Sequence, residues 1–393
     1  MATAGVSGRI DGFPHFFKGS SMKKTLAAIF MILALATPAH SQPADDLAAL
    51  KAAADQGNPS PLMEKGISYY YGEGVRQDYA RAFEIFNYLA EAGQAPAQAA
   101  LGKMYDEGRG VAQDPVLAAF WLKKAAKQGL ARAQFHYGLA LERGRGIEKN
   151  LTEAIKWYRQ SAEQGFAMAQ LYLGISYDTA DGVERDAAEA AKWYLRAADQ
   201  GLSDAQVNMG IVYWRGEAVK QDLAQAAKWF RRAAEQGDSQ ARFYLGRAYS
   251  RGDGVPRDYV ESVKWFRLAA EQGHADAQYH LGVAYDRGDG VRQNHIEAVK
   301  WYALAADQGD VDAMYNLGIS YLYGEGVRQD RSRAISLFMK AAEMGEVDAQ
   351  YALGELYRDG EGVPRNQAEA DKWFKMAAAQ GHTEALQAMN PTH

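Results

Sequence analysis

Two features of this 393-residue chain have residue types suited to chemistry: a glycine-rich stretch beside an acid, and a set of eight histidines. The stretch, YGEGVRQD, stands at residues 71–78 and returns letter for letter at 323–330. Two glycines ahead of an acid suit a phosphate cradle, a calcium loop or a tight chain reversal. No Lys-Ser or Lys-Thr follows to reach phosphates, and the loop carries fewer carboxylates than calcium requires. The reversal remains, because glycine reaches positive φ without strain. The histidines are His15, His40, His136, His274, His280, His295, His382 and His393. None has H-x-x-x-H spacing, and His274 and His280 lie too unevenly apart for one helix face. There is no G-x-S-x-G elbow for a serine nucleophile. With no cysteine, the chain has no thiolate nucleophile, thiolate zinc site or disulfide. The sequence thus offers no catalytic set, no metal ligands and no cofactor motif.

The elements around the loop explain its recurrence. Gly57, Gly93, Gly129, Gly165, Gly201, Gly237, Gly273, Gly309, Gly345 and Gly381 each end an Ala-rich run, always 36 residues apart. The loop glycines keep the same period, with Ala180 replacing the first glycine once and Ala218 the second once. A fixed period of this length marks a repeat architecture. Within one period, ARAQFHYGLALERGRG places small or apolar residues at Ala133, Tyr137, Gly138 and Leu141. LTEAIKWYRQSAEQG places them at Ala154, Trp157, Tyr158, Ser161 and Ala162, one stripe of an amphipathic helix. Each period therefore predicts two helices joined by the loop.

The second helix has a start signal. Asp78, Asp114, Asn150, Asp186, Asp222, Asp258, Asn294, Asp330 and Asn366 fill one position, the types that cap free N–H groups. Glu153, Glu189, Gln225, Glu261, Glu297 and Glu369 follow three residues on, the pattern of a reciprocal capping box. A glycine also sits inside every first helix, as at Gly66, Gly138, Gly210 and Gly354, at a cost of about 1 kcal/mol against alanine. Close approach to a neighbouring helix would offset that cost, and the invariant column from Ala90 through Ala162 and Ala234 to Ala378 is the expected partner.

Composition sets limits. The net charge of −5 points to neither nucleic acid nor an anionic membrane surface. From Met22 the chain reads MKKTLAAIFMILALATPAHSQPADD: two lysines, an uncharged run from Leu26 to Ala36, then small residues at Ala39 and Ser41. That pattern predicts an export signal over 22–41 that is cleaved, leaving no membrane insertion and a periplasmic or secreted protein. Residues 1–21 fit no export pattern, so either Met22 is the true start or 1–21 is an unstructured extension. The expected layout is then a capping helix over 42–57, nine repeats over 58–381, and a capping helix and tail over 382–393.

These residues resemble the Sel1-like repeat family, relatives of the tetratricopeptide repeat. The pattern A-x-x-x-L-G-x-x-Y-x-x-G-x-G-V-x-x-D, then A-x-x-W-[YF]-x-x-A-A-x-x-G, runs almost unbroken through AQYHLGVAYDRGDGVRQNHIEAVKWYALAADQG at 277–309. The resemblance implies an all-α, right-handed α-solenoid superhelix of nine helix-turn-helix units with a lone helix at each end. It also implies a concave surface lined by first helices, and an adaptor or scaffold role rather than an enzyme. Exported bacterial members often serve in envelope regulation or host contact. Cysteine-rich secreted relatives are linked to β-lactam binding or hydrolysis, but this chain has none of their cysteines. A β-lactam hydrolase and a peptidoglycan-binding spacer are the alternatives to a protein-binding scaffold.

Columns that vary between repeats mark where a protein or peptide partner could bind the concave face. Phe243, Tyr279, Tyr315 and Tyr351 form an aromatic run suited to an extended peptide. Trp214 breaks its column and has no packing duty there. Arg215, Arg251 and Arg287 form a basic ladder for an acidic ligand. Inter-repeat packing is the competing account of the aromatic run, and a solvated face that of the arginines.

Overall fold

The computed structural model describes residues 43–389, and every regular element among them is an α-helix. The extension and the export signal expected over 1–41 lie outside the described residues, as does the tail from 390. The helices are α1 (Pro43–Asp55), α2 (Ser60–Tyr71), α3 (Tyr79–Glu91), α4 (Ala95–Glu107) and α5 (Pro115–Lys127). Next come α6 (Ala131–Arg143), α7 (Leu151–Glu163), α8 (Ala167–Thr179), α9 (Ala187–Asp199) and α10 (Ser203–Arg215). They continue with α11 (Leu223–Glu235), α12 (Ser239–Arg251), α13 (Tyr259–Ala270), α14 (Ala275–Arg287) and α15 (His295–Asp307). The last are α16 (Val311–Tyr323), α17 (Arg331–Glu343), α18 (Val347–Asp359), α19 (Gln367–Ala379) and the short α20 (Thr383–Met389). The chain divides into two compact units after Lys65, inside α2. The first holds α1 and the start of α2. From α3 to α20, each helix packs against the next. The result is an all-α solenoid of stacked hairpins.

The caps form as their residue types dictate. Asp258 accepts from the Glu261 N–H at 3.0 Å, and Asn150 from the Glu153 N–H at 2.9 Å. The reciprocal half of the capping box does not form. The N–H of every capping residue donates instead to a carbonyl nine residues back, as from Asp258 to Tyr249 at 2.9 Å and from Asn366 to Tyr357 at 2.8 Å. That bond closes the loop and leaves the glutamates free to pair with lysines three residues on, as Glu189 does with Lys192 and Glu261 with Lys264.

The mid-helix glycines have a different partner from the expected alanine column. A Cβ on Gly210 would lie 2.4 Å from the Phe230 ring, and one on Gly246 2.6 Å from Phe266. The same holds at Gly282 with Tyr302 and at Gly354 with Phe374. The large residue one turn before the alanine fills the space, so a ring lies against bare backbone. The alanine column does other work. Its carbonyls accept from buried glutamines, as Ala90 does from Gln98 at 3.1 Å and Ala270 from Gln278 at 3.1 Å. Each glutamine in turn accepts from another at the end of the next second helix, as Gln98 does from Gln128 at 2.8 Å. Repeats are thus joined by buried hydrogen bonds as well as by apolar contact, which fixes the register of the exposed side chains.

Candidate binding face

The four aromatic residues of the first-helix column divide by depth. Phe243 on α12 is only 6% exposed. It stacks on His274 at 4.8 Å and packs on Phe266 and His280, so it serves the core. Tyr279, Tyr315 and Tyr351 are half-buried. Each packs on the ring that covers a mid-helix glycine: Tyr302, Phe338 and Phe374 respectively. Burial raises the Tyr315 hydroxyl to about 12, with Asp348 adding to it, so it stays a neutral donor. Tyr351 donates to Glu355 at 2.9 Å and stacks on His382 at 4.4 Å.

Trp214 and the arginines lie further out. Trp214 is 41% exposed at the end of α10. It lines a shallow surface groove with Leu223, Phe230, Tyr244, Arg247 and Asp253. The Arg247 guanidinium lies 6.0 Å from the Trp214 ring centre and 5.6 Å from that of Phe243. Arg215, Arg251 and Arg287 are all exposed. Arg215 reaches Asp178 at 4.0 Å, a loose pair that solvent screens. The structure therefore joins Trp214 to Arg247, a residue outside the predicted set. Its signal was in the sequence. The column Ile67, Lys103, Leu139, Ile175, Ile211, Arg247, Val283, Ile319, Glu355 is apolar except at three places.

The described histidines are engaged in structure. His274 and His382 act as helix caps, accepting from the N–H groups of Ala277 and Ala385. Burial pushes His136 down to about 3 and His280 down to about 4, so both are neutral near pH 7. His295 Nδ1 lies 2.8 Å from Asp286 Oδ1, and Glu325 stands close enough to share an ion with them. Sequence spacing misses this trio because Glu325 comes from the following loop. All three side chains are at least partly exposed, and Asp286 pairs with Nδ1 of the imidazole.

Among the described residues Lys103 is the deepest cation, at 5% exposure. Burial lowers its ammonium to about 8 from the ordinary 10.5, against the pull of Glu107 at 3.6 Å. The folded state therefore loses this proton at lower pH than the unfolded chain. Between about pH 8 and 10.5 the unfolded chain binds more protons, so stability rises with pH across that window. Urea midpoints of the wild type and Lys103→Met at pH 8 and pH 10 test this. The wild type should gain on the variant as pH rises, whereas parallel midpoints would show that Lys103 keeps its ordinary pKa.

Hairpins of fixed length, each bonded to the next and differing mainly in their exposed first-helix side chains, define an α-solenoid repeat protein. The Sel1 repeat pattern matches nine consecutive segments, from 66–94 to 347–382, and the chain belongs to the Sel1 repeat family. Two solved structures are similar over most of their length. One, a protective antigen present in uropathogenic Escherichia coli strains, displays an SLR fold. It has a TM-score of 0.80 and 37% identity over 86% of this chain and 73% of that one. The other, a Sel1 repeat protein from Oxalobacter formigenes, has a TM-score of 0.60 and 34% identity over 78% of this chain and 88% of that one. No curated protein matches the chain. Sel1 repeat proteins generally mediate protein–protein interactions and are generally non-catalytic scaffolds. Among the described residues, no helix is long and apolar enough to cross a membrane.

Proposed function

We propose that the chain is an exported scaffold that holds a protein or peptide partner along the concave face of its first helices, in envelope regulation or host contact. One observation supports this most: Trp214 stands exposed over a groove, in a fold whose other tryptophans pack against neighbouring helices. A large aromatic side chain left in water at a groove rim is the usual anchor of an interface. The basic n-region and apolar run after Met22 support export.

The test uses the full chain in its native envelope. A photo-crosslinking amino acid is placed at Arg287 on the first-helix face, or at Lys300, exposed on α15. One partner should crosslink from position 287 and not from 300. Trp214→Ala should reduce that adduct about tenfold, with helical circular dichroism unchanged. Equal adducts from both positions, or capture indifferent to Trp214, would sink this assignment. Turnover of a β-lactam reporter, or sedimentation with insoluble peptidoglycan, would favour the alternatives.

A further inference from the structure

We infer that Arg247 receives the side-chain carboxylate of an acidic residue in the bound partner, with Trp214 and Tyr244 walling it; this rests on the scaffold reading above. Two of the three charged breaks in the apolar column have a partner of opposite charge. Lys103 is answered by Glu107 one turn on, at 3.6 Å. Glu355 is answered by Arg358 at 3.4 Å. Arg247 has Arg251 one turn on, a like charge. Among the described residues its guanidinium makes no hydrogen bond or ion pair, only ring contacts with Trp214 and Phe243.

A half-buried cation facing a like charge is unfavourable unless an anion completes it. Burial, and after it Arg251, disfavours its charge, while Tyr244, Asp253 and Asp276 pull the other way from beyond ion-pair reach. The ring of His280, neutral near pH 7, supplies no counter-charge. Two features select the anion. The recess is small and open to solvent, so it takes the polar end of one side chain rather than a folded surface. Asp253 and Asp276 offset Arg247 and Arg251, so a phosphoryl dianion would be repelled more strongly than a single carboxylate. A planar carboxylate also matches the guanidinium fork, and the flanking rings exclude water from the pair.

The probe is a displayed library of random heptapeptides, selected on the full-length wild type and on Arg247→Ile. The variant restores the residue type found in four other repeats, so it should melt at or above the wild-type temperature. Peptides from the wild type should carry Glu or Asp at one fixed internal position, and those from the variant should not. In the best peptide, C-terminally amidated, changing that acid to its amide should weaken binding about tenfold or more, with no further loss in the variant. Asp253→Asn should tighten it. Peptides enriched without an acid, or the same acid enriched on both proteins, would overturn the carboxylate site and leave the scaffold standing. A requirement for a free C-terminus would assign the site to chain ends instead and overturn the side-chain assignment. No enrichment on either protein would count against both.

Discussion

Gly146→Ala should cost about 3 kcal/mol, and Gly144→Ala only about 1. The two glycines stand in one loop at φ +70° and +66°, so the intrinsic cost of a side chain there is the same for both. Their surroundings differ. A Cβ on Gly144 would meet the Lys149 Cβ at 3.3 Å, a tight contact with a side chain. A Cβ on Gly146 would lie 1.9 Å from the Pro115 carbonyl oxygen, which is backbone at the start of α5 in the preceding hairpin. Backbone cannot rotate away, so one hairpin must lift off the other. Nature has tried the milder change: Ala180 occupies the first-glycine place at φ +63°. At the second place Ala218 is not among the positive-φ residues, so that loop has taken another path. Urea unfolding of both variants, with hydrogen exchange across 115–150, checks the ranking. Equal costs would mean that the loop at 146 can follow the path seen at 218, and that backbone contact does not hold the hairpins together.

This contact marks a boundary of what could be read from the sequence. A 36-residue period, capping residues before each second helix and glycines after it are patterns along the chain, and a chain pattern suffices for them. Pairings across helices are not. The mid-helix glycine has both a ring and an alanine within a turn of each other on the facing helix, and only the helix rotation decides which one it meets. The glutamate of the expected capping box lost its acceptor role because the capping N–H donates to the carbonyl nine residues back. The column pattern grouped Phe243 with Tyr279, Tyr315 and Tyr351 but could not give its depth. Arg247 was written as a break in an apolar column. Its significance needed Trp214, brought beside it from the previous repeat.

The glycine–ring pairing gives the second large effect, because it can be broken and repaired. Gly210→Leu alone should cost about 3 kcal/mol, since its side chain enters space held by Phe230. Phe230→Ala alone should cost about 4 kcal/mol, the usual loss for emptying a buried phenylalanine site, here 4% exposed and stacked on Tyr244 at 4.8 Å. Together the leucine refills the volume that the ring vacates. The double variant should be at least about 2 kcal/mol more stable than the sum of the single losses. Denaturant unfolding of the four proteins closes the cycle. Strict additivity would mean that the ring is not what the glycine admits. The same pair bears on binding, because Phe230 forms part of the groove beneath Trp214. A double variant that regains stability but not partner capture would separate the shape of the groove from the integrity of the stack.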